Sequence, residues 1–450
     1  MNVRWSLVIL LVLTVCANVD AQESAWKAGA AKVAITPESP MWMSGYASRN
    51  HPAEGKLNDL WCKALVLEDP QGQRVALVTL DLVGIDRTTS NIARDEIEKR
   101  YGLARKQIAL CCSHTHSGPV VGHNLRAMNF LDSAQQKLVD DYTARLEKQI
   151  VDVVGQAIAR LTPSNIAWTN GWATFAVNRR NNKEADILRL RAEGKLVGPV
   201  DYDVPVLAIR DGEGRLTAVA FGYACHATVL SSYQWCGDYP GYAQAALEES
   251  HPGAVALFWA GCGADQNPLP RREVSLAEKY GQDLAAAVNA ALDGVMRPIS
   301  GALAAEYAEI DLPFAELPTR AELQQQANST DKYEAARAQM LLRQVDSGQP
   351  LSTTYPYPVQ TWRLGNELLW ITLGGEVVVD YALRLKHELG PSNTWVTGYS
   401  NDVMAYIPSR RVLSEGGYEG GGAMVYYGLP TIWAPEIEEG IVREIVGRKK

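Results

Sequence analysis

His114 and His116, in the stretch "CCSHTHSGP" (111–119), are two of only seven histidines in the chain. Further along stand His226 in "CHAT" and Glu376 in "GGE". Two histidines with a carboxylate make a common catalytic zinc set that leaves one coordination position open. A metal so held lowers the pKa of its water toward neutrality and polarises a carbonyl. On an extended segment residues i and i+2 share a face. His114 and His116 are therefore expected to point into one site, as two ligands or as one ligand and its neighbour. Plainer readings stand beside this one. The pair could be a polar loop, and Glu376 a first-turn helix carboxylate favoured by the dipole. Arg179 and Arg180 in "NRRNN" (178–182) suit a carboxylate or an oxyanion, or make a solvated basic turn. The stretch "GGYEGGG" (416–422) reads as a flexible loop. His51, His123, His251 and His387 read as surface or loop residues.

The elements that must position these groups alternate between strand-like and helix-like patterns. "RVALVTLDLVG" (74–84) and "QIALCC" (107–112) are apolar, buried strands, the second running straight into the histidines. Between them "TTSNIARDEIEKRYG" (88–102) is helical, with Gly102 as its stop. Ser133 and Gln136 form a capping-box start for a helix. Its apolar positions Tyr142, Leu146, Ile150 and Val154 keep helical spacing until Thr162-Pro163. Strands follow at 204–210, 216–224 and 254–261, with helices near 240–250 and 275–292. A half-buried strand is expected over 302–314 and a polar helical insertion over 317–346. A hairpin turning at Gly365-Asn366 spans 359–375. Helices at 376–389 and 433–447 flank the strand "TWVTGYS". The polar clusters recur at strand ends, where open α/β sheets place their sites. His226 follows strand 216–224, "GADQNP" follows strand 254–261, Glu376 follows the hairpin, and Asp402 and Tyr406 follow "TWVTGYS". The expected fold is α/β, a single catalytic domain of mixed β-sheets flanked by helices, with the site at strand ends.

Composition sets the limits. The chain has 450 residues, 47% of them hydrophobic, and a net charge of −8, so it offers no basic field for nucleic acid. The N-terminus "MNVRWSLVILLVLTVCANVDAQ" carries an apolar run too short to span a bilayer comfortably. It fits a secretory signal over residues 1–21, cleaved after Ala21. Lipoprotein anchoring at Cys16 is disfavoured, because Val15 stands where a small residue is wanted. No later segment is apolar enough to be transmembrane. Six cysteines remain after cleavage without a CxxC pattern, which argues against a cysteine zinc site. Most of them read as small buried residues.

Taken in order, the motifs resemble the catalytic domain of the neutral (alkaline, non-lysosomal) ceramidase family. They are "AAKVAITPESPMWMSGYASR", "LWCKALVLEDPQGQRVALVTLDLVGI", "SHTHSGP", "NRR", "CHAT", "GDYPGY", "GADQNP", "GGE" and "AYIPSRRVLSEGGYEGG". The resemblance implies a hydrolase domain over 22–450 that holds one Zn2+ on His114, His226, Glu376 and Tyr406. It implies that His116, Arg179 and Tyr418 face the scissile bond, with Asp265 and Asn267 in the motif that carries the family's active-site serine. The implied substrate is ceramide or a related N-acyl amide, as a lipid or small molecule, cleaved by an exported protein with no nucleic-acid partner.

Two departures bear on that. The family carries Gly-Asp-Val-Ser-Pro where this chain has Ala264-Asp265-Gln266-Asn267-Pro268. Asn267 stands at the serine position and cannot be a nucleophile, whereas a water nucleophile needs no serine. The family also continues into an immunoglobulin-like domain, which this chain, ending at Lys450, is expected to lack. Three rivals follow: a zinc hydrolase of the same scaffold for a small polar amide or ester, a TIM-barrel amidohydrolase, and a non-catalytic binder with a relic site. The TIM-barrel reading wants the HxH on its first strand, and here it comes over a hundred residues in.

Overall fold

The computed structural model describes residues 26–448. The expected signal over 1–21 and the Cys16 alternative lie outside the described residues. Three larger sheets carry the chain. The first orders Ile108–Cys112, Arg74–Leu80, Trp61–Glu68, Lys27–Ala34 and Thr162–Pro163. The second orders Val255–Ala260, Leu216–Tyr223, Asp203–Arg210, Asn165–Trp172 and Arg297–Pro298. The third orders Leu303–Pro313, Thr354–Leu364, Leu368–Leu373 and Thr394–Thr397. The expected α/β class of mixed sheets flanked by helices is what the chain forms.

Each sheet is mainly antiparallel but ends on one parallel pair. These pairs are Arg74–Leu80 with Ile108–Cys112, Leu216–Tyr223 with Val255–Ala260, and Leu368–Leu373 with Thr394–Thr397. Parallel neighbours need a crossover, and in each case the crossover contains a helix: Arg87–Tyr101, Asp238–Ser250 and Val379–Leu389. The carboxyl ends of a parallel pair point the same way, so the loops leaving them lie side by side. Single bridges then stitch the three sets of loops together: Thr115 to Ala227, Cys111 to Ser400, and Gly261 to Thr397. A short parallel pair joins Glu376 to Tyr406. This convergence brings residues some 290 positions apart into one place.

Behind the loops the three sheets share a core. Trp168 and Trp259 from the second sheet meet Trp362, Trp370 and Trp395 from the third, and Leu65, Leu77 and Cys111 from the first. All five tryptophans are essentially buried. Each withdraws roughly 150–250 Å² from water, on the order of 4–6 kcal/mol at about 25 cal/mol per Å² as an upper bound. That rigid base is what allows irregular loops to hold fixed positions above it.

Local chemistry follows the sequence in most elements. Helix Arg87–Tyr101 is capped by Asp86, which accepts from the amides of Thr88 and Thr89, and stops at Gly102 with φ 71°. Helix Ser133–Ala159 starts one residue earlier than the expected capping box. Asp132 is its cap and accepts from Gln135 N, leaving Ser133 as the first helical residue. The polar stretch over 317–346 forms helices Arg320–Gln326 and Lys332–Asp346, with a small core of Leu323, Ala338 and Leu341. Cys62, Cys111, Cys112, Cys225, Cys236 and Cys262 are all buried free thiols.

Candidate active site

The HTH segment reaches the site by a route that sequence periodicity does not describe. His114 has φ 60°, in the left-handed region, so the segment is not extended. The turn nonetheless brings the two rings together, with His116 Nε2 at 3.1 Å from His114 Nε2. Gly45 (φ 98°) closes over His116. A Cβ there would stand 2.7 Å from the His116 ring, so only glycine fits. Glu376 also departs from expectation. It lies in the short strand Glu376–Val377, ahead of helix Val379–Leu389, and is no first-turn helix residue.

The tautomers of two histidines follow from their partners. His114 Nδ1 stands 2.5 Å from the carbonyl of Val83, and His226 Nδ1 stands 2.8 Å from the carbonyl of Gly263. A carbonyl only accepts, so each Nδ1 carries the proton and each Nε2 presents a bare lone pair. Both lone pairs face one carboxylate oxygen. Glu376 Oε2 is 3.1 Å from His114 Nε2 and 3.2 Å from His226 Nε2. Tyr406 Oη stands 3.3 Å from His226 Nε2. Burial and then Arg179 press the His226 pKa down to about 4, so its ring is neutral at neutral pH.

Two buried imidazole nitrogens thus converge on one buried carboxylate oxygen, an arrangement that a cation would bridge. The spacing fits as well. Ligands on a tetrahedron of ~2.0–2.1 Å radius lie about 3.3 Å apart. A second donor set competes: the ligand nitrogens of His114, His116 and His226 lie within 4.8 Å of one another. His116 differs from the other two, since its Nδ1 has no hydrogen-bond partner among the described residues and its ring is half-buried on the cavity wall. Burial presses its pKa well below the usual value, so it too is neutral and can accept a proton. The carbonyl anchors single out His114 and His226 as the oriented pair.

Arg179 links the cluster to the cavity. Its Nη2 donates to Tyr406 Oη at 3.1 Å, its Nη1 to Asn267 Oδ1 at 3.2 Å, and its Nε to Glu419 Oε1 at 2.7 Å. Tyr418 is partly exposed and its ring stands 5.3 Å from that of Tyr406. The cavity above is about 620 Å³, and His116, Arg179, Asn267, Tyr406 and Tyr418 all line it. Asp265 does not. It is fully buried, and its oxygens accept from Val379 N at 2.9 Å and from Asn178 Nδ2 at 3.1 Å. Its place is behind the wall, tying the helix start at Val379 to the "NRR" strand.

Sequence reasoning passed over three groups. Tyr427 hydrogen-bonds Glu376 Oε1 and so fixes which carboxylate oxygen faces the histidines. Glu419 holds both Arg179 and Arg180, the latter at 2.6 Å. Tyr399, at φ 51°, packs its ring at a tilt against that of His114, with centroids 4.3 Å apart. Glu419 and Tyr399 sit inside motif stretches already singled out, which is the one signal that could have found them. "NRRNN" and "GGYEGGG" are accordingly wall elements of the cavity, held to each other by ion pairs.

Asp402, in the loop that leads to Tyr406, gives a pH-dependent test of this region. Burial lifts its pKa to about 7, against the attraction of Arg87 Nε at 3.2 Å and a 2.7 Å hydrogen bond with Tyr355. A carboxyl raised in the folded state favours folding below its unfolded value near 4, and that contribution fades as pH rises through about 7. Asp402 should therefore lower stability by up to about 1.4 kcal/mol per pH unit across that window. Urea titrations at several pH values should show the slope, and Asp402→Asn should flatten it.

The family model for the N-terminal region of neutral/alkaline non-lysosomal ceramidases matches residues 26–299. This chain belongs to that ceramidase family. Among curated relatives, neutral ceramidase 1 of Arabidopsis thaliana is 26% identical over 54% of this chain and 32% of its own length. Neutral ceramidase 2 of the same plant is 30% identical over 43% of this chain and 26% of its own. The neutral ceramidase of Drosophila melanogaster is 26% identical over 58% and 37% respectively. The matches thus span about a third of these ceramidases. The crystal structure of the neutral ceramidase of Pseudomonas aeruginosa shares the fold, with TM-score 0.72 and 21% identity over 94% of this chain and 73% of that one. A ceramidase solved in complex with C2 superposes equally, with TM-score 0.72 and 18% identity. Glu376, Tyr406 and Tyr418 lie beyond the stretch that the family model matches, where the shared fold is the relevant comparison.

Proposed function

We propose that this chain is an exported, zinc-dependent amidohydrolase of the neutral ceramidase type, a single hydrolase domain over 22–450 that cleaves the N-acyl amide of ceramide or a related N-acyl lipid. The observation that carries the reading is the convergence of His114 Nε2 and His226 Nε2 on Glu376 Oε2, at 3.1 and 3.2 Å, with both Nδ1 atoms tied to carbonyls. Tyr406 completes the set. Zinc held there would supply a Lewis acid for the scissile carbonyl and a water acidified toward neutrality. Water adds its oxygen to the acyl carbon, the carbon–nitrogen bond breaks, and the amine leaves with a proton. His116 stands where it can take the proton from the water and return it to the leaving nitrogen. Arg179 and Tyr418 face the developing oxyanion. Asn267 accepts from Arg179, and so tunes the guanidinium instead of attacking.

That no helix among the described residues is long and apolar enough to cross a membrane is compatible with this reading. A second reading, a hydrolase for a smaller polar amide, draws support from the cavity. Leu269 is the one aliphatic side chain among the described residues that line it. The test is turnover by zinc-loaded protein of a ceramide, a short N-acyl amide and the matching ester, before and after chelation. Chelator-sensitive amide cleavage that returns with zinc is expected, and activity that survives full metal removal would overturn the proposal. Cleavage of the short amide alone would select the second reading. In that case Asn267→Ser is the variant in which ceramide turnover should be sought.

A further inference from the structure

The charges on the cavity wall do not cancel. Four guanidinium groups line it (Arg179, Arg180, Arg271 and Arg272) against three carboxylates (Glu184, Glu415 and Glu419). Each carboxylate is already engaged. Glu419 binds Arg179 and Arg180, Glu415 binds Arg180, and Glu184 binds Arg271 at 2.9 Å. Arg272 has no carboxylate partner among the described residues. Its Nη1 reaches only the Tyr46 hydroxyl, at 3.4 Å, and its guanidinium lies 5.6 Å from the Tyr46 ring. The neighbouring Glu273 turns toward the Ser275 hydroxyl. Tyr46 in turn packs 4.8 Å from His116, which places Arg272 on the wall one aromatic ring away from the reacting end.

Two further features single this arginine out. Its backbone is held at φ 97°, a region that side-chain-bearing residues rarely adopt, and its amide is pinned to the carbonyl of Val229 at 2.7 Å. Strain of this kind persists where the surroundings over-determine it, and it clusters at ligand sites. The same ring also lies near a second cation without a carboxylate partner among the described residues. Arg49 lies 5.0 Å from the Tyr46 ring, buried, and it donates only to the carbonyls of Ser44 and Ser232. Asp238 is the acid that also acts on Tyr46, against Arg49, Arg271 and Arg272, so the local sign stays positive in a chain whose net charge is −8. Metal ligation does not reverse it, since Glu376 is one carboxylate against a divalent ion.

Building on the second reading above, a hydrolase for a smaller polar amide and not for uncharged ceramide, we infer that the favoured substrate carries an oxyanion, a carboxylate in the simplest case, that pairs with Arg272 at the cavity mouth while the amide lies at His116. The substrate class is then an acidic N-acyl amide. Water adds to its acyl carbon, the carbon–nitrogen bond breaks, and the oxyanion stays on whichever product lies under Arg272. Guanidinium binds carboxylate through paired, charge-assisted hydrogen bonds, which a neutral amide of equal size cannot match.

The experiment compares matched probes on zinc-loaded protein. N-Hexanoylglycine against N-hexanoylglycinamide places the charge on the amine side. N-Butylsuccinamate against N-butylbutanamide places it on the acyl side. At least one acidic probe should exceed its neutral partner by about tenfold or more in kcat/KM. The preference should shrink in 0.5 M salt, fall toward one in Arg272→Gln, and survive largely in Arg272→Lys. If no probe is cleaved, the small-amide reading falls alone. Calorimetric affinities of the same pairs then decide the inference, with a tenfold preference for the acid expected in the wild type and lost in Arg272→Gln. Equal handling of acid and neutral partners, or a preference that Arg272→Gln leaves intact, would overturn it.

Discussion

Replacing His114 with alanine should take bound zinc from about one per chain to a small fraction, and kcat/KM down by on the order of 10³-fold or more. The size of the effect follows from the geometry. His114 Nε2 stands 3.1 Å from both Glu376 Oε2 and His116 Nε2. Removing it deletes one ligand and also leaves Glu376 with a single imidazole against its buried oxygen. About 4 kcal/mol of transition-state stabilisation corresponds to that loss in rate. One complication is the backbone, because alanine at φ 60° is strained. His114→Asn adopts that conformation more readily and is the companion variant. Both should lose metal and activity together while keeping a cooperative thermal transition. His123→Ala, at an exposed position, should change neither. Full zinc occupancy in the His114 variants would move the metal to another donor set.

The large elements of the fold were legible because each is dictated locally. Buried strands such as "QIALCC" and "AVALFWAG" announce themselves by continuous apolar runs, and Gly102 ends its helix through a left-handed conformation that favours glycine. The placement of polar motifs at strand ends was legible for the same reason. What periodicity could not supply was the geometry inside the loops. His114 and His116 converge through a left-handed residue and not through the alternation of a strand. Partners at long range were equally hidden. Glu419 lies 240 positions from Arg179, and Tyr427 lies 51 positions from the carboxylate it orients. Glu419 at least sits inside the stretch "GGYEGGG", whereas nothing in the local sequence of Tyr427 marks it as part of a site. Asp265 shows the opposite error, since it shares a motif with Asn267 while its carboxylate points away from the cavity to Val379 N. Asp265 precedes the short strand Gln266–Pro268, so the alternation that would put residues i and i+2 on one face does not govern it.

Arg179→Met should damage both catalysis and stability, and a second substitution should separate the two. The guanidinium donates at once to Tyr406 Oη, Asn267 Oδ1 and Glu419 Oε1. Loss of a donor aimed at a developing oxyanion lowers kcat by about 10²–10³-fold, with less effect on KM. Loss of the same group leaves Glu419 Oε1 buried without a partner, while Oε2 keeps Arg180. Stranding one oxygen of a buried carboxylate costs about 1–3 kcal/mol. Arg179→Met with Glu419→Gln removes the stranded charge, so the double variant should regain most of the lost stability. Its kcat should stay low, because Tyr406 and the cavity still lack their cation. Urea unfolding and steady-state kinetics on the two variants read these quantities independently. Recovery of kcat along with stability would reduce Arg179 to a prop for the wall, whereas recovery of stability alone would assign its charge to the reaction.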